Sequence, residues 1–98
     1  MTSQTSQDAL TFDQLRDLVI TALEDFKAID IQQIDVSGQT PLADQFVIAS
    51  GNSHRHIKSM AENLVQRAKA AGCAPIGVEG ERQSEWVLVD LNDIIVHL

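Results

Sequence analysis

The chain has 98 residues, with 7 Lys and Arg against 14 Asp and Glu, for a formal net charge of −7. Because proteins bind nucleic-acid phosphates mainly through Lys and Arg, this balance argues against a dedicated nucleic-acid binder and favours a basic protein partner. A chain of this length can bury only one core, so residues 10–98 are predicted to form a single domain.

Short apolar segments and a single cysteine indicate the compartment. No uncharged apolar run approaches the roughly 20 residues that cross a bilayer, and Met1 to Leu10 lack the basic start and apolar segment of a secretory signal. The lone Cys73 cannot form an internal disulfide, which suits a reducing environment. We therefore expect a cytoplasmic protein without membrane contact.

The first half of the chain predicts one helix and two strands after a flexible tail at residues 1–9. Apolar residues recur at helical spacing from Phe12 to Phe26, and Thr11 with Gln14 fits a capping box at the helix start. Residues 29–36 and 46–49 are short and rich in apolar or β-branched side chains, which indicates two strands.

The second half predicts a helix of about five turns, which begins at Asn52 or Ser53 and ends at Gly72, and then strands at residues 76–78, 86–89 and 94–96. The order α-β-β-α-β-β-β predicts an α/β fold, a small mixed sheet with helices packed on it. We expect a right-handed crossover between the second and third strands and a hairpin at the end. Since the final strand ends with the chain, we expect it to be an unpaired sheet edge and the domain to be truncated at its C-terminus.

Charge is unevenly distributed along the chain. The stretch after the second helix is acidic and includes Glu79, Glu85 and Asp90. The second helix carries four of the basic residues, which we consider candidates for contact with RNA: Arg55, Lys58, Arg67 and Lys69. The alternative is that these charges are only solvated surface.

Two short motifs have both a chemical and a structural interpretation. Residues 50–53 join a strand to a helix, where backbone donors can bind an anion or serve an ordinary Asn/Ser cap. Glu79-Gly80-Glu81 has alternate carboxylates that could hold a divalent cation, although the glycine favours a loop. No third carboxylate and no nucleophile motif accompanies them, so we predict no catalytic residue, metal or cofactor.

Trp86 is the only tryptophan of the chain. If residues 86–90 alternate as a strand, Trp86, Leu88 and Asp90 share one face. An aromatic anchor, an aliphatic neighbour and a peripheral charge are typical of a protein interface. The alternative is a tryptophan that covers the edge of the core.

Several motifs follow one another in an order that is specific when taken together. They are Lys27-Ala28-x-Asp30-Ile31, Asp35-Val36, Asp44-x-Phe46-Val47-Ile48-Ala49-Ser50-Gly51-Asn52-Ser53, Glu79-Gly80, Glu85-Trp86-Val87-Leu88-Val89-Asp90 and Ile95-Val96-His97. Through them the chain resembles, from about Leu10 to Leu98, the ribosomal silencing factor family, also called RsfS or Iojap-like proteins.

The resemblance implies a regulatory factor that is not an enzyme. Members of that family bind the large ribosomal subunit through ribosomal protein L fourteen, block joining of the small subunit, and slow translation when nutrients are scarce, as in stationary phase. Their fold resembles that of nucleotidyltransferases without the catalytic carboxylates. Carried over to this chain, the contact surface includes Trp86, Leu88 and Asp90, with Glu79 and Asp44 nearby. The uneven charge adds a separate expectation, that the basic helix faces ribosomal RNA near this contact.

The chain differs from the family in one respect, and two alternative functions are considered. Family members usually continue past Val96-His97 into a further strand and an Arg- and Tyr-containing tail, which this chain lacks. The first alternative is a nucleotidyltransferase-like enzyme that uses Glu79, Glu81 and residues 50–53. The second is a homodimeric adaptor that pairs through the exposed terminal strand.

Overall fold

Two helices and five strands follow one another in the predicted order. The computed structural model describes residues 10–80 and 85–98, so the predicted tail at residues 1–9 and Glu81 lie outside the described residues. The helices are α1 (Phe12–Asp25) and α2 (His54–Ala70), and the strands are β1 (Ile29–Asp35), β2 (Gln45–Ser50), β3 (Gly77–Glu79), β4 (Leu88–Asp90) and β5 (Ile94–His97). The predicted α/β class is confirmed.

The strands form one mixed sheet in the order β1-β2-β5-β4-β3. Only β2 and β5 pair in parallel, while β1 with β2, β5 with β4 and β4 with β3 are antiparallel. The predicted terminal hairpin is β4 and β5. The connection through α2 is a crossover, because β2 and β3 run in the same direction, but it passes over β5 and β4 to reach the far edge.

The final strand occupies the centre of the sheet, so the prediction that it is an unpaired edge is wrong. Val96 of β5 pairs with Val47 on one side and Val89 on the other. Leu98 continues the ladder, since its N–H donates to the Val87 carbonyl at 2.8 Å and its own carbonyl accepts from Val87 at 3.2 Å. The terminal strand therefore has no free edge through which a homodimer could pair. Chain order alone does not reveal that β5 inserts between β2 and β4.

Side-chain and backbone caps fix both helices. Thr11 and Gln14 form the predicted capping box of α1, and Ser53 is the N-cap of α2, where its hydroxyl accepts from the His56 N–H. Each helix ends with the same pair of backbone hydrogen bonds, closed by a residue with left-handed φ: Lys27 at 60° after α1 and Gly72 at 85° after α2.

The core lies between the helices and one face of the sheet. Strand residues that point to the helices are buried, and α1 and α2 meet them with aliphatic side chains. The main members of this core are Val19, Leu23, Val47, Met60, Leu64, Val87, Val89, Ile94 and Val96. Neither described helix packs on the opposite face of the sheet, which is here called the open face.

Candidate functional site

The open face brings together side chains from all five strands in two rows. Strand register places Gln32, Ile48, His97, Leu88 and Glu79 in one row. The second row consists of Ile34, Phe46, Ile95, Asp90 and Gly77. The first row has His97 between Ile48 and Leu88 in its middle, and the second row has Phe46 and Ile95 there. Each row has a carboxylate on its β3–β4 side. The sheet therefore presents an apolar strip with an acidic margin.

A groove of about 220 Å³ follows the middle of this strip. It is lined by Leu42, Phe46, Ile48, Leu88, Ile95 and His97. Leu42, in the loop before β2, is 68% exposed. Of these residues the sequence analysis identified only Leu88 as a contact residue. The available signal was that residues 46–49 and 94–96 are apolar in both alternating positions, which is typical of a strand with apolar surface on both faces.

Trp86 stands at the end of the open face and is 41% exposed. Its indole meets the His97 ring edge to face, with centroids 6.1 Å apart and planes at 88°. Leu88 and Asp90 lie on the same face, whereas Val87 and Val89 are fully buried beneath the helices. The predicted alternation of residues 86–90 is confirmed.

The predicted acidic residues divide between two places. Glu79 pairs in register with Leu88 and so lies on the open face beside Asp90. Asp44 precedes β2 by one residue, and its N–H donates to the Asp93 carbonyl at 2.9 Å. Trp86 contacts His97, which pairs with Ile48 of β2. Asp44 precedes Ile48 by four residues and therefore lies about 13 Å away along the strand direction. The structure does not bring Asp44 next to Trp86.

Asp44 instead lines a separate concavity of about 350 Å³ between the start of α1 and the ends of β1 and β2. The other lining residues are Phe12, Arg16, Asp35, Ser37 and Gln45. The Ser37 hydroxyl and N–H donate to one carboxylate oxygen of Asp35 at 2.6 and 2.9 Å. These two bonds, the hydroxyl bond first, hold the pKa of Asp35 below its ordinary value of 3.8.

The basic residues of α2 lie in the helical layer, on the other side of the molecule from the open face. Arg55, Lys58 and Lys69 are exposed and recur at helical spacing, so they form one stripe. Arg67 is turned towards α1 and forms an ion pair with Asp25 at 2.8 Å. The four predicted residues thus divide into a stripe of three and one interhelical pair.

The turn at residues 50–53 is a helix cap in which the Asn52 backbone donor is used internally. The Asn52 N–H donates to Nδ1 of His56 at 3.0 Å, and Nε2 of the same ring bonds the Phe26 carbonyl, which ties the turn to the end of α1. Gly51 is required by packing, because a Cβ there would lie 2.8 Å from Cγ1 of Ile57. These contacts favour the capped turn over the anion site.

The part of the chain that the structure describes was compared with the requirements of a metal site and of a membrane span. Residues 10–80 and 85–98 contain no group of three or more His, Cys, Asp or Glu side chains arranged to hold a metal ion. The carboxylate pair Glu79 and Glu81 falls partly outside these ranges. Neither described helix has the length and apolar character that a membrane span needs.

Comparisons with known proteins point to one family. A sequence model described as "Ribosomal silencing factor during starvation" (RsfS) matches residues 9–98. The ribosomal silencing factor RsfS of Zymomonas mobilis is 42% identical over 96 residues, which is 98% of this chain and 70% of the relative. A crystal structure of a protein from Chromobacterium violaceum superposes with a TM-score of 0.87 at 39% identity, covering 90% of this chain and 73% of that one.

The same likeness extends to a mitochondrial protein. The mouse protein named "Mitochondrial assembly of ribosomal large subunit protein 1" is 33% identical over 85 residues, which is 84% of this chain and 37% of the mouse protein. Its name associates that relative with the large ribosomal subunit.

Proposed function

The chain belongs to the ribosomal silencing factor (RsfS) family, and from this premise we propose that its open face docks on ribosomal protein L fourteen of the large ribosomal subunit. Bound there, the domain occupies space that the small subunit needs, so subunit joining is blocked and translation is repressed when nutrients are limiting. This action takes place in the cytoplasm and requires affinity and volume but no chemical reaction, so the protein is not an enzyme.

One observation carries this proposal: an apolar strip with an acidic margin covers the sheet face that no helix packs against. Glu79, Glu85 and Asp90 supply the negative charge on and beside the strip. Every Lys and Arg among the described residues lies on α1, on α2 or directly after α1. Such a surface complements a basic partner that inserts apolar side chains.

Within this surface each predicted residue has a different task. Trp86, half-exposed and backed by His97, is the aromatic anchor at the end of the open face, since a large rigid ring loses little conformational freedom on binding. Leu88 lines the apolar groove beside it. Glu79 and Asp90 interact with basic side chains of the partner at the margin. Asp44 reaches the partner only if the contact extends to the opposite end of β2.

The stripe of Arg55, Lys58 and Lys69 is the part of the molecule suited to peripheral contact with ribosomal RNA. It faces away from the open face, so RNA would have to approach the helical layer while the protein partner holds the sheet. Replacing Lys58 and Lys69 with Ser should lower the salt dependence of large-subunit binding, because fewer phosphate counterions are released. An unchanged salt dependence would remove RNA from the contact.

The test of the proposal is co-sedimentation with isolated large and small subunits. We expect the wild-type protein to pellet with the large subunit only. Trp86→Ala should weaken this binding by about 2 kcal/mol, or roughly thirtyfold, as expected for an interface hot spot. Ile76→Ala is the matched control, because Ile76 is an apolar side chain that is 67% exposed yet lies before β3 and outside both open-face rows.

Equal affinity of the Trp86→Ala and wild-type proteins would contradict the assignment of the open face. Preference for the small subunit would contradict the proposed partner. The nucleotidyltransferase-like alternative predicts binding of nucleotide with a divalent cation in calorimetry, and the homodimer alternative predicts a mass that rises with concentration in light scattering. Because β5 is fully paired, such a dimer would have to use another surface than the terminal strand.

A further inference from the structure

Gly80 lies directly beneath the indole of Trp86. It follows β3 with a φ of +83°, a conformation that side chains other than glycine rarely adopt. A Cβ at this position would meet the Trp86 carbonyl oxygen, and it would lie 2.8 and 2.9 Å from Cε3 and Cζ3 of the indole. The ring therefore rests against a bare α-carbon, and no other residue type leaves room for it.

His97 restrains the same ring from a different direction. Its imidazole meets the indole edge to face across the hairpin, at 6.1 Å between centroids. His97 pairs in register with Leu88, so the contact joins Trp86 to the row that forms the groove. The indole is thus held between the end of β3 and the centre of the sheet while 41% of the residue stays exposed.

We propose that Gly80 is a positioning residue, which with His97 fixes the indole of Trp86 before a partner arrives. A ring that is already immobilised gives up less conformational entropy on binding, so the same contacts yield a higher affinity. The effect on ribosome binding rests on the proposed function, whereas the placement of the ring is a property of the free protein. The two parts are therefore testable separately.

Trp86 is the only tryptophan, so the fluorescence of the free protein reports its surroundings directly. Gly80→Ala should displace the indole into water, seen as a longer emission wavelength and stronger quenching by acrylamide. Gly38→Ala is the matched control, because Gly38 has a φ of +79° but a Cβ there meets nothing within 4 Å. Both variants place an alanine at a left-handed φ, and only the Gly80 variant sets a Cβ against Trp86.

The second measurement is affinity for the large subunit. Gly80→Ala should bind at least about tenfold more weakly than Gly38→Ala. In the Trp86→Ala background, Gly80→Ala should cause a smaller loss of affinity than in the wild type, since only the contact of the Cβ with the backbone carbonyl of residue 86 remains. If Gly80→Ala fails to fold, Gly80→Asn and Gly38→Asn replace the pair, because Asn tolerates left-handed φ and still introduces a Cβ.

The outcomes separate this proposal from the one on which it rests. Identical fluorescence in the Gly80 and Gly38 variants would overturn the positioning role and leave the docking surface intact. Altered fluorescence with unchanged affinity would show that the fixed ring does not serve binding, and would likewise overturn the proposal. If Trp86→Ala binds the large subunit as tightly as the wild type, the result contradicts the proposed docking surface itself.

Discussion

The two faces of the sheet differ although the same strands build both. Along residues 86–90, Val87 and Val89 are fully buried under the helices, while Trp86 on the open face is 41% exposed. Both faces are apolar, yet only one is covered. Under the proposed function, apolar surface in this small domain serves two purposes, folding on the covered face and association on the open one.

The helical layer accounts for the stability of the fold. Burying a Leu or Val side chain contributes about 1.5–3 kcal/mol, and the largest buried side chains all belong to the interface between helices and sheet. The apolar side chains of the open face gain less, because they are only partly buried or exposed. A surface that contributes little to folding but stays apolar is typical of a binding site.

The largest effect is expected from shortening a leucine on either side of the sheet, Leu64 in the covering helix α2 or Leu88 on the open face. Leu64→Ala removes a side chain of α2 with no exposed surface and should lower the free energy of unfolding by about 2–5 kcal/mol. Leu88→Ala on the open face should lower it by about 1 kcal/mol or less, while weakening large-subunit binding. Urea unfolding and co-sedimentation measure the two effects. Equal losses of stability would mean that the open face belongs to the folding core.

A smaller effect is expected where α1 ends. The two helices finish with the same hydrogen-bond pattern, but α1 uses Lys27 where α2 uses Gly72, and both have positive φ. Lys27→Gly should relieve the left-handed strain and raise the free energy of unfolding by about 0.5–1 kcal/mol. Since Lys27 lies outside the open face, binding to the large subunit should not change. Weaker binding of this variant would mean that the contact with the large subunit also includes the helical layer.

The smallest effect is a pH dependence at the end of β1, away from both faces. Hydrogen bonds from Ser37 lower the pKa of Asp35 in the folded protein. Its contribution to stability is therefore present above the pKa of the unfolded chain and disappears as the pH falls through the lower, folded value. Asp35→Asn should be less stable than wild type at pH 7, and urea unfolding should show this gap closing in acid. A gap that persists at low pH would contradict this cause.

Much of the local structure could be predicted from the sequence because its causes are local. Thr11 and Gln14 form their capping box from neighbouring residues alone, and Ser53 caps α2 in the same way. The alternation around Trp86 also follows from strand geometry, whose period of two does not depend on the rest of the fold. The exposed face at Trp86, Leu88 and Asp90 was therefore predictable.

Other features depend on residues far apart in the chain, and the sequence patterns did not reveal them. Asp44 belongs to the same family motif as Phe46, yet it lies just before β2, at the opposite end of the sheet from Trp86. Arg67 belongs to the basic helix, but the approach of α1 pairs it with Asp25. The close approach of Gly80 to the indole becomes visible only when β3 and β4 are paired.

The kind and order of elements, the caps of both helices and the acidic character of the chain can be derived from the sequence, because each depends on spacing and composition. Three features require the three-dimensional structure: β5 lies at the centre of the sheet, both helices cover the same face, and the basic stripe of α2 points away from the acidic margin. Sheet order and layer packing arise from the burial of distant apolar side chains together, and that choice leaves no local signature in the chain.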